Sequence, residues 1–365
     1  PEQNDRFAKA IYDEAKYQVV RLRNHPCLAI WCGNNEQDRS VGGSWGRFAP
    51  DPEKDRISRE VLPRVLRDFD PLTPYIPSSP WWTPDVVAGK AKLSQNHLWG
   101  PRAEWFKGDF WCNNTPTFVS EMGCHGCPNL DSLKRMMSSE GLYPWPAVTN
   151  KFVFGDDWNC KATTAYPEQG HGVHGDRRNS LMVHQVKTMF GSVPDDLARF
   201  SEQSQIYQAQ ALKTWIERYR MDKFRGKNGL LWWNLRDGWP IISDAVVDYY
   251  GNRKMAYAAI RSVQQDQLVA MKADGSIWAV NDTRHPVGGH ASLVDEKSGR
   301  TLAEIDYKVP ANDAVKIGSA ELNGQGFVMI RWTCDGMNGE NRFLYGRPPF
   351  DLSILKGRET EEKGM

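Results

Sequence analysis

Two glutamates, Glu36 and Glu121, follow short apolar segments at corresponding places in the sequence. Glu36 comes after residues 27–32 and the polar run GNN, and Glu121 comes directly after residues 117–120. If both segments are strands of a parallel barrel, their carboxyl ends meet at one rim and the two carboxyl groups can face each other. Such a pair, about 5–5.5 Å apart, is what double displacement at an anomeric carbon requires, because one group protonates the leaving oxygen and the other attacks the carbon. An isolated strand-end glutamate, by contrast, is most often an exposed surface charge.

Apolar periodicity predicts that helices alternate with short strands up to about residue 265. The predicted helices span residues 6–24, 55–69 and 195–221, and the predicted strands span residues 27–32, 73–76, 117–120 and 229–233. This alternation is typical of βαβ units, and polar or aromatic residues at the strand ends fit the catalytic face of a (β/α)8 TIM barrel. About five barrel strands are present, so we expect the first three to be missing from this chain or supplied by another piece.

The pattern changes from about residue 266. Short apolar segments separated by turns carry no helical period there and predict a small β-sandwich. These segments span residues 268–271, 276–281, 291–295, 303–309, 314–320 and 326–333. Residues 356–365 form a charged tail that we expect to be disordered. The predicted fold class is therefore α/β plus all-β, with residues 1–265 as the barrel part and residues 266–355 as the sandwich.

Composition and charge exclude several other classes of protein. The 365 residues carry 46 basic and 45 acidic side chains, well mixed, so the net charge of +1 gives no sign of a nucleic-acid partner. No run approaches the roughly 18 apolar residues of a membrane span. The N-terminus lacks the apolar region of a signal peptide and an initiator Met, so we expect a start inside a longer polypeptide, and the compartment stays open.

Seven cysteines include one CxxC pair, Cys124 and Cys127. A zinc site would need a second CxxC or a histidine pair at metal spacing, and neither is present, so we predict no metal and no cofactor. A thiol-based redox role for the pair is a rival hypothesis that thiol titration would test. His171 and His174 lie among glycines without a clear acidic partner, and we predict a mobile loop there rather than a metal site.

The segments around the two glutamates resemble glycoside hydrolase family 2, and most closely its β-mannosidase branch. The resemblance rests on RNHP (23–26) through WCGNNE (31–36), FVSEMG (118–123), and WWN (232–234) through DGWP (237–240) with DYYG (248–251). It extends over nearly the whole chain and implies the barrel from its third helix onward, followed by an immunoglobulin-like domain that includes AVNDT (279–283). It also implies that earlier barrel strands and additional β-domains belong to the same polypeptide.

The resemblance assigns roles to four residues of this sequence. It implies that Glu36 is the acid/base and that Glu121 is the nucleophile. Asn35 would bind the sugar 2-hydroxyl, a contact that can strengthen in the transition state. Trp233 would be the aromatic ring beneath the sugar at the cleavage subsite, although a packed Trp at the barrel end is the alternative.

Further candidates lie near the predicted strand ends. By the resemblance, His97 and Trp99 lie where the sixth strand should end and are candidates to bind or stack on the sugar, and a buried structural histidine is as plausible. Asp237 is a candidate to bind a hydroxyl or orient a neighbour, or to cap a turn. Trp81 and Trp82 would border the entrance or cap the barrel.

Together these residues predict a retaining exo-β-glycosidase that removes terminal non-reducing β-linked sugars from an oligosaccharide or glycoside. β-Mannosides are the predicted substrates. A β-glucosaminide, β-galactoside or β-glucuronide stays open, because the branch commonly has an aromatic residue after the nucleophile glycine where this chain has CHGC (124–127). A catalytically inactive carbohydrate-binding protein is the alternative from another class, and the retained glutamate pair with Asn35 argues against it.

Overall fold

The computed structural model describes residues 3–40, 51–99, 116–143, 145, 154–162 and 174–350, and the tail predicted at residues 356–365 lies outside these ranges. Within them the helices are α1 (Asp5–Leu22), α2 (Gln37–Ser40), α3 (Leu62–Phe69), α4 (Pro84–Val87), α5 (Leu130–Met136), α6 (Ser139–Leu142), α7 (Asp156–Cys160), α8 (His174–Phe190), α9 (Leu197–Met221) and α10 (Met255–Val263). The strands are β1 (Trp31–Cys32), β2 (Tyr75–Ile76), β3 (Gln95–Leu98), β4 (Phe118–Met122), β5 (Gly229–Trp232), β6 (Gln267–Met271), β7 (Ser276–Asn281), β8 (Val287–Asp295), β9 (Thr301–Val309), β10 (Asp313–Ser319), β11 (Gly326–Cys334) and β12 (Met337–Tyr345).

The chain divides into two compact units. The first unit comprises Pro1–Leu98, Thr115–Glu121 and Gly229–Leu231, and the second comprises Trp99–Asn114, Met122–Asn228 and Trp232–Met365. The boundaries of these units do not coincide with the predicted boundary between the barrel part (residues 1–265) and the sandwich (residues 266–355). The division into those two domains therefore stays a prediction.

In the first unit, α1 packs against the helical segment that begins at Ile57. The Asn4 side chain accepts a hydrogen bond from the Phe7 backbone N–H at 2.8 Å and so caps α1. Two apolar clusters join the helices, and their buried members are Ala8, Ile57 and Val61 in one, and Val19, Val65 and Leu66 in the other. The predicted helices at residues 6–24 and 55–69 are confirmed, except that Ile57–Val61 is a π-helical turn.

The first unit also contains two small sheets. In the first sheet β1 pairs in parallel with β2, and in the second sheet the strands lie in the order β3, β4, β5. The predicted strand at residues 27–32 is shortened to Trp31–Cys32, because the hydrogen bonds to the β2 segment begin at the Trp31 N–H, which donates to Pro74 O. The partial barrel itself stays a prediction.

The second unit is built around α9, a long and largely buried helix. Asp196 caps it by accepting from the Arg199 N–H at 2.7 Å, so the predicted helix at residues 195–221 is confirmed. One correction concerns His174, which was assigned to a mobile loop and instead begins the 17-residue helix α8. His171 lies outside the described residues. None of the helices in the described ranges is long and apolar enough to cross a membrane.

From Gln267 onward every described element is a strand, and the strands form two antiparallel sheets that contact each other. Their orders are β10-β7-β6 and β12-β11-β8-β9. The predicted segments correspond to β6 through β11, but β12 was missed. Strands β11 and β12 form a hairpin in which Cys334 pairs with Met337, and the two residues between them, Asp335 and Gly336, have positive φ angles of 47° and 79°. Two positive φ angles are what a two-residue hairpin turn requires.

Candidate active site

The loop that carries Glu36 is anchored by Asn34. The Asn34 side-chain amide lies within hydrogen-bonding distance of groups from several neighbouring segments. These groups are Asp55 Oδ2 at 2.9 Å, Ser58 Oγ at 2.7 Å, Pro77 O at 2.9 Å, Ser78 Oγ at 2.7 Å and the Gln37 N–H at 3.1 Å. Gly33 is needed beside it, since a Cβ there would lie 2.5 Å from the Pro77 carbonyl oxygen. The loop therefore keeps its shape without any contribution from the Glu36 carboxylate.

Glu36 itself has a left-handed backbone, with φ of 56°. Residues other than glycine adopt this conformation at a cost on the order of 1–3 kcal/mol and only when their surroundings enforce it. The enforcing contacts are backbone hydrogen bonds to the segment after β2: Glu36 N donates to Ser79 O at 2.8 Å, and Ser79 N donates to Asn34 O at 3.0 Å. Strain of this kind is concentrated at functional sites, which makes position 36 a candidate on structural grounds alone.

The carboxylates of Glu36 and Glu121 meet at one histidine. His97 Nδ1 lies 2.8 Å from Glu36 Oε1 and 3.1 Å from Glu121 Oε2. One oxygen of each carboxylate and one ring nitrogen all lie within 4.8 Å of one another. The side chains are 19%, 11% and 3% exposed for Glu36, Glu121 and His97, so the carboxylates retain access to solvent while the imidazole is buried. This spacing suits a covalent double displacement better than the wider separation that leaves room for a water molecule.

The opposite nitrogen of His97 is held by an uncharged cluster that the sequence analysis missed. Ser79 Oγ lies 2.9 Å from His97 Nε2, and Ser120 Oγ lies 3.0 Å from Ser79 Oγ. Gln95 Nε2 donates to Ser79 Oγ at 2.5 Å and also to Ser120 Oγ. The period of two in β3 offers one signal for Gln95, because it places Gln95 and His97 on the same face of the strand.

Asn35 lies at the rim of the same loop. It is exposed, and its backbone forms an isolated parallel bridge with Ser79. The structure thus separates the roles of the two adjacent asparagines, since Asn34 is the structural anchor and Asn35 is the one presented to solvent.

A buried ion pair supports the segment that follows Glu36. Asp38 is fully buried, and its two oxygens lie 2.8 and 2.9 Å from the guanidinium nitrogens of Arg59, which belongs to the π-helical turn. The Trp82 N–H also donates to Asp38 Oδ2 at 3.0 Å. The backbone of Trp82 is therefore tied to this pair, whereas the Trp81 side chain is 41% exposed.

Replacing Arg59 by methionine should lower the free energy of unfolding by roughly 3–5 kcal/mol, because it leaves the Asp38 carboxylate buried without its counter-ion. Urea denaturation followed by tryptophan fluorescence measures the loss. Arg56→Met is the matched control, since Arg56 pairs with Asp5 on the surface, and such pairs contribute about 1 kcal/mol or less. Equal effects of the two substitutions would contradict the buried-pair interpretation.

Three other predicted site residues, Trp99, Trp233 and Asp237, belong to the second unit. The Trp233 N–H donates to Met122 O at 2.6 Å, and a Cβ on Gly123 would lie 2.7 Å from Trp233 O and 2.8 Å from the Trp99 ring. Gly123 thus permits the close approach of the Trp99 ring and the Trp233 carbonyl oxygen, and the Trp233 side chain remains 41% exposed. Asp237 is buried and accepts from Ser243 Oγ at 2.5 Å, so its observed partner is a neighbouring loop residue.

The segment after Gly123 is held by buried polar groups of the second unit. His125 Nδ1 lies 2.8 Å from Asp244 Oδ1, and both side chains are buried. Lys254 Nζ donates to the carbonyl oxygens of Gly126 at 2.7 Å and Ser243 at 3.2 Å. Burial lowers the pKa of Lys254, and the nearby aspartates oppose that shift. The CHGC stretch is therefore fastened to residues 243–244.

Burial also makes the CxxC thiols poor nucleophiles. Both are inaccessible to solvent, and burial raises the pKa of Cys127 to about 12 and that of Cys124 well above its ordinary value. A redox pair needs at least one exposed thiol with a lowered pKa. The structure therefore opposes the thiol-redox hypothesis.

In the native protein, iodoacetamide at pH 8 should label Cys27 and Cys160, which are exposed, and leave Cys124 and Cys127 unmodified. Peptide mass spectrometry after a short reaction distinguishes these sites, and the same reaction in urea supplies the control in which all four thiols react. Rapid labelling of Cys124 or Cys127 in the folded protein would restore the redox hypothesis.

Among the described residues, the histidine, cysteine, aspartate and glutamate side chains close enough to share a metal ion are Glu36, His97 and Glu121. These are the same groups that form the carboxylate site. The prediction that the site works without a metal or cofactor stays a prediction.

Paired carboxylates of this spacing fit the class of retaining glycoside hydrolases. No family model matches the chain. The chain is 28% identical over 298 residues to β-mannosidase B of Neosartorya fischeri and to β-mannosidase B of Aspergillus niger, and each alignment covers 76% of this chain and 32% of the relative. It thus spans about a third of the length of the curated relatives that it matches.

Solved structures show the same fold. The β-D-mannosidase of Dictyoglomus thermophilum superposes with a TM-score of 0.74 at 24% identity, over 96% of this chain and 42% of that one. The exo-chitosanase of Amycolatopsis orientalis superposes with a TM-score of 0.63 at 18% identity, over 93% of this chain and 39% of that one. The relatives and the fold confirm the resemblance that the motifs indicated: the chain is similar to β-mannosidases in sequence and in fold.

Proposed function

We propose that this chain is the catalytic C-terminal portion of a retaining exo-β-glycosidase, with Glu36 as acid/base and Glu121 as nucleophile. The observation that carries the proposal is the meeting of the two carboxylates at His97 Nδ1, with oxygens within 4.8 Å of each other. The left-handed backbone of Glu36 and its rigid loop add support, because they hold one carboxylate in a fixed place.

The reaction proceeds by two displacements at the anomeric carbon. Glu121 attacks the carbon while Glu36 gives its proton to the departing glycosidic oxygen, and a glycosyl-enzyme ester forms on Glu121. Glu36, now ionised, takes a proton from water, and the resulting hydroxide displaces Glu121 from the carbon. Both displacements invert the anomeric carbon, so the released sugar keeps the β configuration.

Sugar-binding roles are also proposed for two further candidates, Asn35 and Trp233. Asn35 is exposed beside Glu36 and is proposed to contact the 2-hydroxyl. Trp233 is partly exposed and offers an apolar ring on which a pyranose can stack. The Trp99 ring and the Trp233 carbonyl oxygen both lie beside Gly123, so Trp99 is proposed to support the backbone at Trp233. Asp237 is proposed to order its loop through Ser243.

Terminal β-mannosides are the proposed substrates, because the matching relatives in the sequence comparison are named β-mannosidases. The fold similarity supports the further proposal that residues 1–265 are about strands 4–8 of a (β/α)8 barrel and residues 266–355 an immunoglobulin-like domain. The first barrel strands and additional β-domains would precede them in the same polypeptide, called the full-length polypeptide below.

A panel of nitrophenyl β-glycosides tests the proposal with the full-length polypeptide. The panel comprises the mannoside, glucosaminide, galactoside and glucuronide, and proton NMR of the first-formed sugar reports the anomer. Release from the mannoside with a β product is expected. Activity on another glycone alone would keep the glycosidase and replace the substrate, and an α product would contradict the double displacement. A folded protein that releases nothing from any substrate would leave carbohydrate binding without catalysis as the better reading.

A further inference from the structure

The two ring nitrogens of His97 face different kinds of group. Nδ1 faces the charged side of the site, with Glu36 Oε1 from the loop after β1 at 2.8 Å and Glu121 Oε2 from β4 at 3.1 Å. Nε2 faces one hydroxyl, Ser79 Oγ from the loop after β2, at 2.9 Å. The ring is buried between these groups, so its proton must be shared with them rather than with bulk water.

The carboxylates decide which nitrogen carries the proton. Glu121 is ionised as the proposed nucleophile, and a nitrogen 3.1 Å from its oxygen is favoured as a donor because its lone pair would be repelled by the carboxylate. A neutral imidazole has a single N–H. If that N–H is at Nδ1, then Nε2 of His97 has to accept a hydrogen bond, and Ser79 is the group in place to donate it.

The neighbours of Ser79 direct its hydroxyl proton towards His97. Gln95 Nε2 can only donate, and it lies 2.5 Å from Ser79 Oγ. Ser120 Oγ lies 3.0 Å from Ser79 Oγ and 3.5 Å from the Asn96 carbonyl oxygen. Because a serine hydroxyl rotates freely between donating and accepting, Ser120 can donate to the nearer Ser79 oxygen. In that arrangement Ser79 accepts from both Gln95 and Ser120, and its own proton points at Nε2 of His97.

We propose that Ser79 is a positioning residue, whose hydroxyl donates to Nε2 of His97 and thereby fixes the Nδ1–H on Glu36 and Glu121. The donated N–H stabilises negative charge on the carboxylate pair, which favours the ionised nucleophile. The catalytic consequence rests on the proposed function, whereas the tautomer of His97 is a property of the folded protein that can be measured without any turnover.

The tautomer is measured by long-range ¹H–¹⁵N correlation NMR of the full-length polypeptide labelled at histidine, with His97→Asn to identify the signals. A protonated Nδ1 and an unprotonated Nε2 are expected in the parent, and Ser79→Ala should remove this preference. Ser94→Ala is the matched control, because Ser94 is exposed at the start of the same segment as Gln95. A parent spectrum with protonated Nε2 would overturn the proposal, whether or not the protein hydrolyses a glycoside.

Kinetics then separate positioning from a merely structural role. Ser79→Ala should lower kcat by about tenfold with little change in KM, and Ser79→Thr, which keeps a hydroxyl, should restore most of it.

A double-mutant cycle supplies the decisive comparison. In the His97→Asn variant, the side-chain amide can present an N–H close to the position of Nδ1, and no second ring nitrogen needs a partner. Adding Ser79→Ala to His97→Asn should therefore lower kcat no further. Equal losses from Ser79→Ala in both backgrounds would overturn the inference. A parent that releases nothing from any glycoside would instead defeat the proposed function, and the NMR result would still decide the tautomer.

Discussion

Replacing Glu121 by alanine in the full-length polypeptide should lower kcat for aryl β-glycosides by about 10⁴- to 10⁶-fold, the loss expected when a covalent nucleophile is removed. The reason is that no glycosyl-enzyme ester can form, although the Glu36 proton donor and its loop stay in place. Initial rates with a dinitrophenyl glycoside measure the effect, because this leaving group departs readily and exposes the displacement step alone. In the parent protein, a 2-deoxy-2-fluoro dinitrophenyl glycoside should label Glu121, as peptide mass spectrometry would report.

Glu14→Ala is the matched control for Glu121→Ala, since Glu14 is an exposed glutamate of α1 in the same unit. It should leave the rate unchanged. A fluoro-sugar label on any residue other than Glu121, or a Glu121→Ala protein with near-parent turnover, would contradict the assignment.

Replacing Glu36 by alanine should give a different kinetic pattern, with a loss of about 10²- to 10⁴-fold that depends on the leaving group. Substrates with poor leaving groups need a proton and should lose most, whereas the first step on dinitrophenyl glycosides should be little affected. Sodium azide should restore turnover of activated substrates and yield a β-glycosyl azide, because the anion attacks the glycosyl-enzyme without a general base. Rate measurements with and without azide, and NMR of the product, make the test.

Glu36→Gln complements this variant by keeping the size and hydrogen bonding of the side chain while removing its acid/base function. It should resemble Glu36→Ala in rate, and Glu121→Ala should yield no β-azide. An α-azide from the Glu36 variant would instead assign the nucleophile to Glu36 and reverse the two roles.

The proximity of Glu36 and Glu121 was predictable because its signal is local in the sequence. Each glutamate follows a short apolar strand, and the residue types around it carry the family resemblance. The helices at residues 6–24 and 195–221 were predictable for the same reason, since apolar periodicity is a property of neighbouring residues.

The support of the pair was not predictable, because it consists of hydrogen bonds between residues far apart in sequence. His97 contacts Glu36 across 61 positions, and Ser79 contacts Ser120 across 41. Nothing in the local pattern distinguishes Asn34, which anchors the loop, from Asn35 beside it. Whether each of these side chains points into the protein or towards solvent depends on how segments that are distant in sequence pack together, and the local sequence pattern does not reveal that packing.

Two elements were missed for reasons that lie in the interpretation of the pattern. The glycines near His174 masked the start of α8, although Met182, Val183 and Val186 farther along pack into the core of the second unit. Strand β12 reads as polar because it lies partly at the surface, but the Asp335-Gly336 pair before it is a strong signal of a tight hairpin.

The left-handed backbone at position 36 has a consequence for how this protein can change over time. Glycine adopts that conformation without penalty, so Glu36→Gly would relieve the strain that the glutamate imposes. Selection for stability alone would therefore favour replacing Glu36, and selection for turnover would keep it if it is the acid/base that we propose. Engineers who seek hardier variants of this protein should hold position 36 fixed and improve distant sites, because here robustness and catalysis are opposing objectives.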